Sequence, residues 1–227
     1  MDHNRKIIGF IGIDKYEYIL YLSRLLYQLN KKTLLLDCSL SKALTACVPA
    51  PAGLSNKRIE YRGVMFQDIK SSSDGITAAK DMGGDEFDCI LIDYDDEVKI
   101  LEDNQLDILV YVTDQQMHNI RHLAELKVKK TAVKILVIKN YIQHRTSPSF
   151  IIQQLKLSTE DLKNTYVISQ DEVDDKSKLS CQSDYVFKFN KVSHQTKNFI
   201  KGIAAELYPD ITKRALNKGL KRAGRGL

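Results

Sequence analysis

The chain has 227 residues, 43% hydrophobic and 28% charged, which suffices to bury a core without metals or disulfides. No apolar run approaches the ~20 residues that span a bilayer as a helix, and the polar start Met1 to Lys6 does not lead into a secretory signal's apolar stretch. A cytoplasmic protein is expected.

The net charge of +5 is uneven. Ile211 to Leu227 carries Lys213, Arg214, Lys218, Lys221, Arg222 and Arg225 and no acidic residue, so the remainder is one unit negative. We therefore divide the chain into one domain, residues 1–209, and a basic tail or helix, residues 210–227, that holds the attraction for anionic partners.

In chain order, Lys6 to Gly12 reads as a first strand, followed by a turn, Ile13-Asp14-Lys15-Tyr16-Glu17-Tyr18, and a helix over Tyr16 to Leu29. Its apolar stripe is Ile19, Leu22, Leu26 and Leu29, at helical spacing. A second strand spans Thr33 to Cys38. Leu40 to Gly84 is irregular, with prolines, glycines and a Ser71-Ser72-Ser73 run, and a short strand is expected through Val64-Met65-Phe66. Strands follow at Asp88 to Asp93, Ile108 to Thr113, Lys134 to Lys139, Thr165 to Ile168 and Tyr185 to Phe189. Helices are expected at Gln115 to Lys127, Pro148 to Leu157 and Ser193 to Leu207, and the tail is read either as a disordered end or as a helix over Pro209 to Arg222.

Most of these strands are continuous apolar runs, as parallel strands covered on both faces are. Their alternation with helices predicts a single α/β domain with a doubly wound, mainly parallel sheet and helices on both faces.

Isolated features favour structural roles. Cys38, Cys47, Cys89 and Cys181 show no C-x-x-C pairing and are read as buried free thiols. His118 and His122 share a helix face without a third metal ligand nearby in sequence. The acidic run Asp93 to Glu97 suits a helix start. No motif points to a nucleophile, so no catalytic residue and no metal site is assigned.

Three strands carry a family resemblance. Lys32-Thr33-Leu34-Leu35-Leu36-Asp37-Cys38 carries an aspartate next to its end, Phe87-Asp88-Cys89-Ile90-Leu91-Ile92-Asp93 ends in one, and Lys134-Ile135-Leu136-Val137-Ile138-Lys139-Asn140 ends in an asparagine. Over roughly Lys6 to Pro209 the order of elements resembles the MinD/ParA family of deviant-Walker ATPases. The resemblance implies a P-loop NTPase-like fold, with Asp37 near the γ-phosphate and attacking water, Asp93 near Mg²⁺ and Asn140 reading adenine. These are vestigial positions here, because the glycine-rich phosphate loop that should follow the first strand is missing. Lys15 is the turn's only cation, flanked by Asp14 and Glu17, and two tyrosines stand where glycines would be needed.

The expectation is a pseudo-ATPase with no cofactor, similar to the TadZ/CpaE-like members that localise pilus or secretion machinery. Ile13, Tyr16 and Tyr18 are candidates for contact with a second copy, a related ATPase or a secretion or pilus component. Binding of ATP with Mg²⁺ by an unconventional loop is the alternative. The tail's six cations, with a thin apolar strip of Ile211, Ala215, Gly219, Leu220 and Ala223, suit an anionic membrane surface or nucleic acid. With the second target, the chain would be a DNA-partitioning or conjugation accessory protein.

Overall fold

A computed structural model describes residues 5–49, 58–69, 86–94, 100–101, 106–128, 133–141, 146–158, 160 and 162–225. The chain starts with β1 (Lys6–Gly12), α1 (Tyr16–Gln28) and β2 (Thr33–Asp37), then a hairpin of β3 (Arg58–Tyr61) and β4 (Val64–Asp68). Next come β5 (Cys89–Asp93), the short β6 (Ile100–Leu101), β7 (Ile108–Asp114), α2 (Met117–Ala124) and the short β8 (Lys127–Val128). The last part holds β9 (Val133–Asn140), α3 (Pro148–Gln154), β10 (Leu162–Ser169), α4 (Glu172–Ser183), α5 (His194–Leu207) and α6 (Lys213–Ala223).

The main sheet has eight strands in the order β10-β9-β7-β1-β5-β2-β4-β3, parallel except for the β3–β4 pair. The expected single-domain, doubly wound fold is what the chain adopts. Strands β2, β5 and β7 are buried at every residue, which explains their unbroken apolar runs. One sheet face, with Phe10, Leu35 and Val110, is covered by α1, α5 and α6. The other, with Ile11, Ile92 and Leu136, is covered by α2 and α3 through Ile120, Leu123 and Ile151. Among the described residues no helix is long and apolar enough to cross a membrane.

Three expectations need correction. Tyr185 to Phe189 is not a strand; it lies across the helix layer, with Phe187 edge-on to Tyr61 at 5.6 Å and Phe189 4.7 Å from Tyr21. Its aromatic residues mimic strand composition, but they fill the core as a covering segment. α4 went unpredicted because its sequence is polar on most sides; only Cys181 is buried. Asp171 starts it by accepting from the N–H groups of Val173 and Asp174, and three acidic residues occupy its first turn. β3 was also missed, since its exposed and half-buried residues make an antiparallel edge with a weak apolar signal.

The basic tail forms α6, which shares the core of the rest of the chain. Thr212 caps it by accepting from Ala215 N–H, and Leu216, Gly219 and Ala223 are buried. Gly219 permits close approach: a Cβ there would lie 3.1 Å from the side chains of Leu25 of α1 and of Leu29, which ends that helix. The four cysteines are free and buried, and burial pushes the Cys181 thiol up to about 12.

Candidate functional site

The strand order reverses around β1, whose neighbours are β5 and β7, so the carboxyl end of β1 is where an open α/β sheet offers a crevice. The turn after β1 fills that position. Gly12 ends the strand at φ 108°, a conformation that side chains rarely adopt, and Ile13 N–H then donates to Val112 O at 3.0 Å. The turn crosses against β7 before α1 begins.

Each charge of the turn is paired within the chain, two of the three in buried positions. Lys15 Nζ lies 3.0 Å from Asp93 Oδ1, with side-chain exposures of 7% and 2%, and it also donates to Gly12 O at 2.9 Å. Glu17 Oε1 lies 2.7 Å from Lys139 Nζ, also buried, and Lys139 donates in addition to Asp14 O. The Asp14 carboxylate receives Lys178 Nζ at 2.8 Å and Tyr141 Oη at 3.4 Å. Burial raises the Asp14 carboxyl, but Lys139 and Lys178 outweigh it and hold its pKa below the ordinary 3.8. Lysines from β9 and α4 therefore staple a turn whose own sequence looks self-repelling.

The tyrosines are used in the same way. Tyr16 and Tyr18, expected at a partner interface, are only 6% and 4% exposed. Tyr16 Oη donates to Lys178 O, and its ring lies under the Lys178 ammonium at 5.5 Å. Tyr18 meets Phe199 edge-on at 5.1 Å and carries Lys139 over its other side at 4.9 Å. Their assignment as docking residues is corrected: both anchor α1 to the chain's own core, and of the three candidates only Ile13 stays partly exposed.

The vestigial positions separate. Asp37 and Asp93 are register partners on adjacent strands, so both stand at the same sheet end. Asp37, however, accepts from Ser39 N–H and Oγ and from Thr45 N–H and Oγ1, at 2.7 to 3.2 Å. Four donors saturate this buried carboxylate, which shapes the loop after β2. Asn140, on the other side of β7, keeps a buried Oδ1 with no hydrogen-bond partner among the described residues. Asp114, which the sequence reading passed over, accepts from Gln116 and Asn119 and ties the end of β7 to the first turn of α2. The short spacing Asp114-Gln115-Gln116 was the available signal.

His118 and His122 are exposed, and among the described residues no group of three or more His, Cys, Asp or Glu side chains converges as a metal site. The acidic residues Asp95, Asp96 and Glu97 lie outside the described residues.

Searches of family models and of curated proteins give no match. Solved structures do match. MinD in the MinC:MinD cell division protein complex of Aquifex aeolicus aligns over 97% of this chain and 95% of its own, at 12% identity and a TM-score of 0.53. The MinD cell division protein of Aquifex aeolicus aligns over 96% and 95%, at 12% identity and 0.51. Apo McdA from Cyanothece aligns over 96% and 99%, at 13% identity and 0.50. The chain has the MinD/ParA-type fold. At such identities the likeness is one of fold, and its use here has to be read from the residues present.

Those residues do not fit ATP with Mg²⁺. A phosphate cradle needs backbone N–H groups wrapped around the anion and a free lysine. In this turn the N–H of Ile13 is spent on Val112 O, Lys15 is committed to Asp93 and Gly12, and two acidic side chains face the same space. The cavity beside the turn, lined by Asp14, Glu17, Lys139 and Lys178 among others, has a volume of only about 60 Å³. Drug-sized ligands occupy pockets of roughly 300–1,000 Å³.

All six tail cations, Lys213, Arg214, Lys218, Lys221, Arg222 and Arg225, are exposed. Their helix turns its apolar strip inward: Gly219 and Ala223 are buried, and Ile211, Ala215 and Leu220 are half-buried. The expected amphipathic strip is thus taken by α1 and α5. What faces outward is charge.

Proposed function

We propose that this protein is a non-hydrolysing scaffold or localisation factor of MinD/ParA-type fold, acting by protein–protein contact in a bacterial assembly such as secretion, pilus or surface machinery. One observation carries the proposal: the buried Lys15–Asp93 pair, in which the turn's only cation neutralises the aspartate that would otherwise face Mg²⁺. Phosphoryl transfer depends on electrostatic stabilisation of the moving group, and a lysine already paired with a buried carboxylate cannot supply it. The proposed partners are a second copy, a related ATPase or a component of that machinery.

Fluorescent ATP, ADP and GTP with Mg²⁺, titrated beside a functional deviant-Walker ATPase, test the reading. No binding is expected up to millimolar nucleotide. Micromolar binding abolished by Asp93→Asn would replace the scaffold with a nucleotide sensor, the reading favoured by the unpartnered Asn140 Oδ1.

The exposed cations of α6 support an anionic partner reached by charge alone. With the apolar strip packed inward, there is little to insert into lipid, and this favours a phosphate backbone over a membrane surface. A triple variant, Lys218→Glu with Lys221→Glu and Arg222→Glu, is expected to fold normally. It should lower the log–log salt dependence of duplex DNA binding by roughly 2–3. Retention on anionic vesicles but not on DNA in the parent protein would assign the tail to the membrane instead.

A further inference from the structure

A larger cavity lies at the other end of the sheet from Asp37 and Asp93. It opens where β2 begins: Lys31 and Lys32, in the turn between α1 and β2, line it together with Tyr27 of α1, Phe87 ahead of β5 and Arg222 of α6. Thr33, also in its lining, starts β2, and Asp37 ends that strand roughly 13 Å away. The volume of about 790 Å³ lies within the roughly 300–1,000 Å³ of small-molecule pockets, unlike the closed space beside the turn after β1.

The lining is cationic. Lys32 and Arg222 are exposed, and among the described residues neither side chain has a carboxylate partner. The Lys31 ammonium has an aromatic neighbour instead, 4.6 Å from the centroid of the Tyr208 ring. Two carboxylates stand against these three cations: Glu86, already held by Arg58 at 2.6 Å, and Glu60 of β3. The balance favours an anion. A guanidinium beside two ammonium groups suits phosphate in particular, which accepts several charge-assisted hydrogen bonds at once.

The rest of the lining is aromatic and apolar. Tyr27 is 43% exposed, and its ring lies against the turn of the β3–β4 hairpin, where Arg62 and Gly63 both take positive φ. A Cβ on Gly63 would stand 2.3 Å from that ring, so the glycine gives the ring its place; Met65 of the same hairpin adds an apolar surface. We propose that this cavity binds an organic phosphate monoester with a ring-sized body, its phosphate held by Lys31, Lys32 and Arg222 and its body packed on Tyr27 and Met65. A bare anion would leave the tyrosine ring and most of the volume unused. The cavity shares no lining residue with the space beside the turn, so nucleotide binding there would leave this site standing.

Phenyl phosphate, titrated into the full chain and followed by ¹H–¹⁵N amide shifts, tests the proposal beside inorganic phosphate, benzoate and benzylammonium at equal ionic strength. Saturable binding below millimolar concentration is expected, with shifts at Tyr27, Lys32, Gly63 and Phe87. Inorganic phosphate and benzoate should bind about tenfold more weakly, the first for want of a ring and the second for want of the second charge, and benzylammonium should not bind. Lys32→Glu, at an exposed position outside α6, should keep the fold and weaken phenyl phosphate about tenfold, and Tyr27→Leu about threefold. Asp93→Asn, at the far end of β5, should leave the affinity unchanged, which separates this site from the turn.

The ester has two sources, a free small molecule or the phosphorylated side chain of a protein partner, and both share this chemistry. A tenfold or greater preference for blocked phosphotyrosine over phenyl phosphate assigns it to a partner's side chain, and any lesser preference to a free ester. Equal affinity for inorganic phosphate or benzoate, shifts that are absent or never saturate, or full affinity in folded Lys32→Glu protein would overturn the proposal. Each of these is the behaviour of an exposed cationic patch.

Discussion

Asp93→Asn is expected to lower the free energy of unfolding by about 3–5 kcal/mol, because it leaves the Lys15 ammonium buried beside a neutral amide. Lys15→Met should cost a comparable amount by removing the ammonium 3.0 Å from the buried carboxylate. The double variant Lys15→Met with Asp93→Leu should recover most of the loss, since replacing both charges of a buried pair by apolar groups of similar size is often close to neutral. Urea denaturation of the parent, Lys15→Met, Asp93→Leu and the double variant closes the cycle and isolates the coupling between the two side chains. Were each single change to cost under about 1 kcal/mol, the pair would behave as an exposed ion pair does. The lysine would then be available to an anion, and the pseudo-ATPase reading would lose its main support.

Gly12→Ala should be nearly as damaging, by about 3–5 kcal/mol. Its φ of 108° is strained for any side chain, and a Cβ there would stand 1.9 Å from the backbone oxygen of Val112. That oxygen is fixed by the β1–β7 ladder and accepts from Ile13, so relief requires the two strands to separate at the turn. Gly63→Ala is the informative comparison. It also has a positive φ, of 75°, but the atoms it would meet belong to the Tyr27 side chain, which is 43% exposed and can swing aside. A cost of about 1–2 kcal/mol, that of the left-handed backbone alone, is expected there. Equal losses at the two glycines in thermal melts would show that the contact with Val112 relaxes cheaply and that the turn is not clamped to β7.

Parts of this architecture were legible because they depend on local pattern. The continuous apolar runs of β1, β2, β5, β7 and β9 announce strands buried on both faces, and α1 announces itself by its stripe of Ile19, Leu22 and Leu26. That no glycine-rich run ending in Lys-Ser or Lys-Thr stands between Ile13 and Tyr18 could be read without any coordinates. Elements whose burial is shared with distant partners were misread. Phe187 and Phe189 look like strand residues until Tyr61, Phe66 and Tyr21 are placed beside them. α4 is held by contacts such as the Asp174 carboxylate on Ser193 and Thr196, which no local periodicity reveals.

By itself, then, the sequence determined a doubly wound α/β chain, a turn bearing two carboxylates, one lysine and two tyrosines, and a concentration of positive charge at residues 213–225. Only the tertiary structure decided what those features do. Whether Lys15 is a free cation depends on Asp93, 78 positions away in the chain, and whether Asp14 and Glu17 repel depends on Lys139 and Lys178. Whether α6 offers its apolar strip to a membrane depends on Leu25 in α1 and Leu29 at its end. Charge and apolarity are properties of a residue, but their availability is set by whichever side chains the fold brings within a few ångströms. At a site closed by buried ion pairs, that availability is the function.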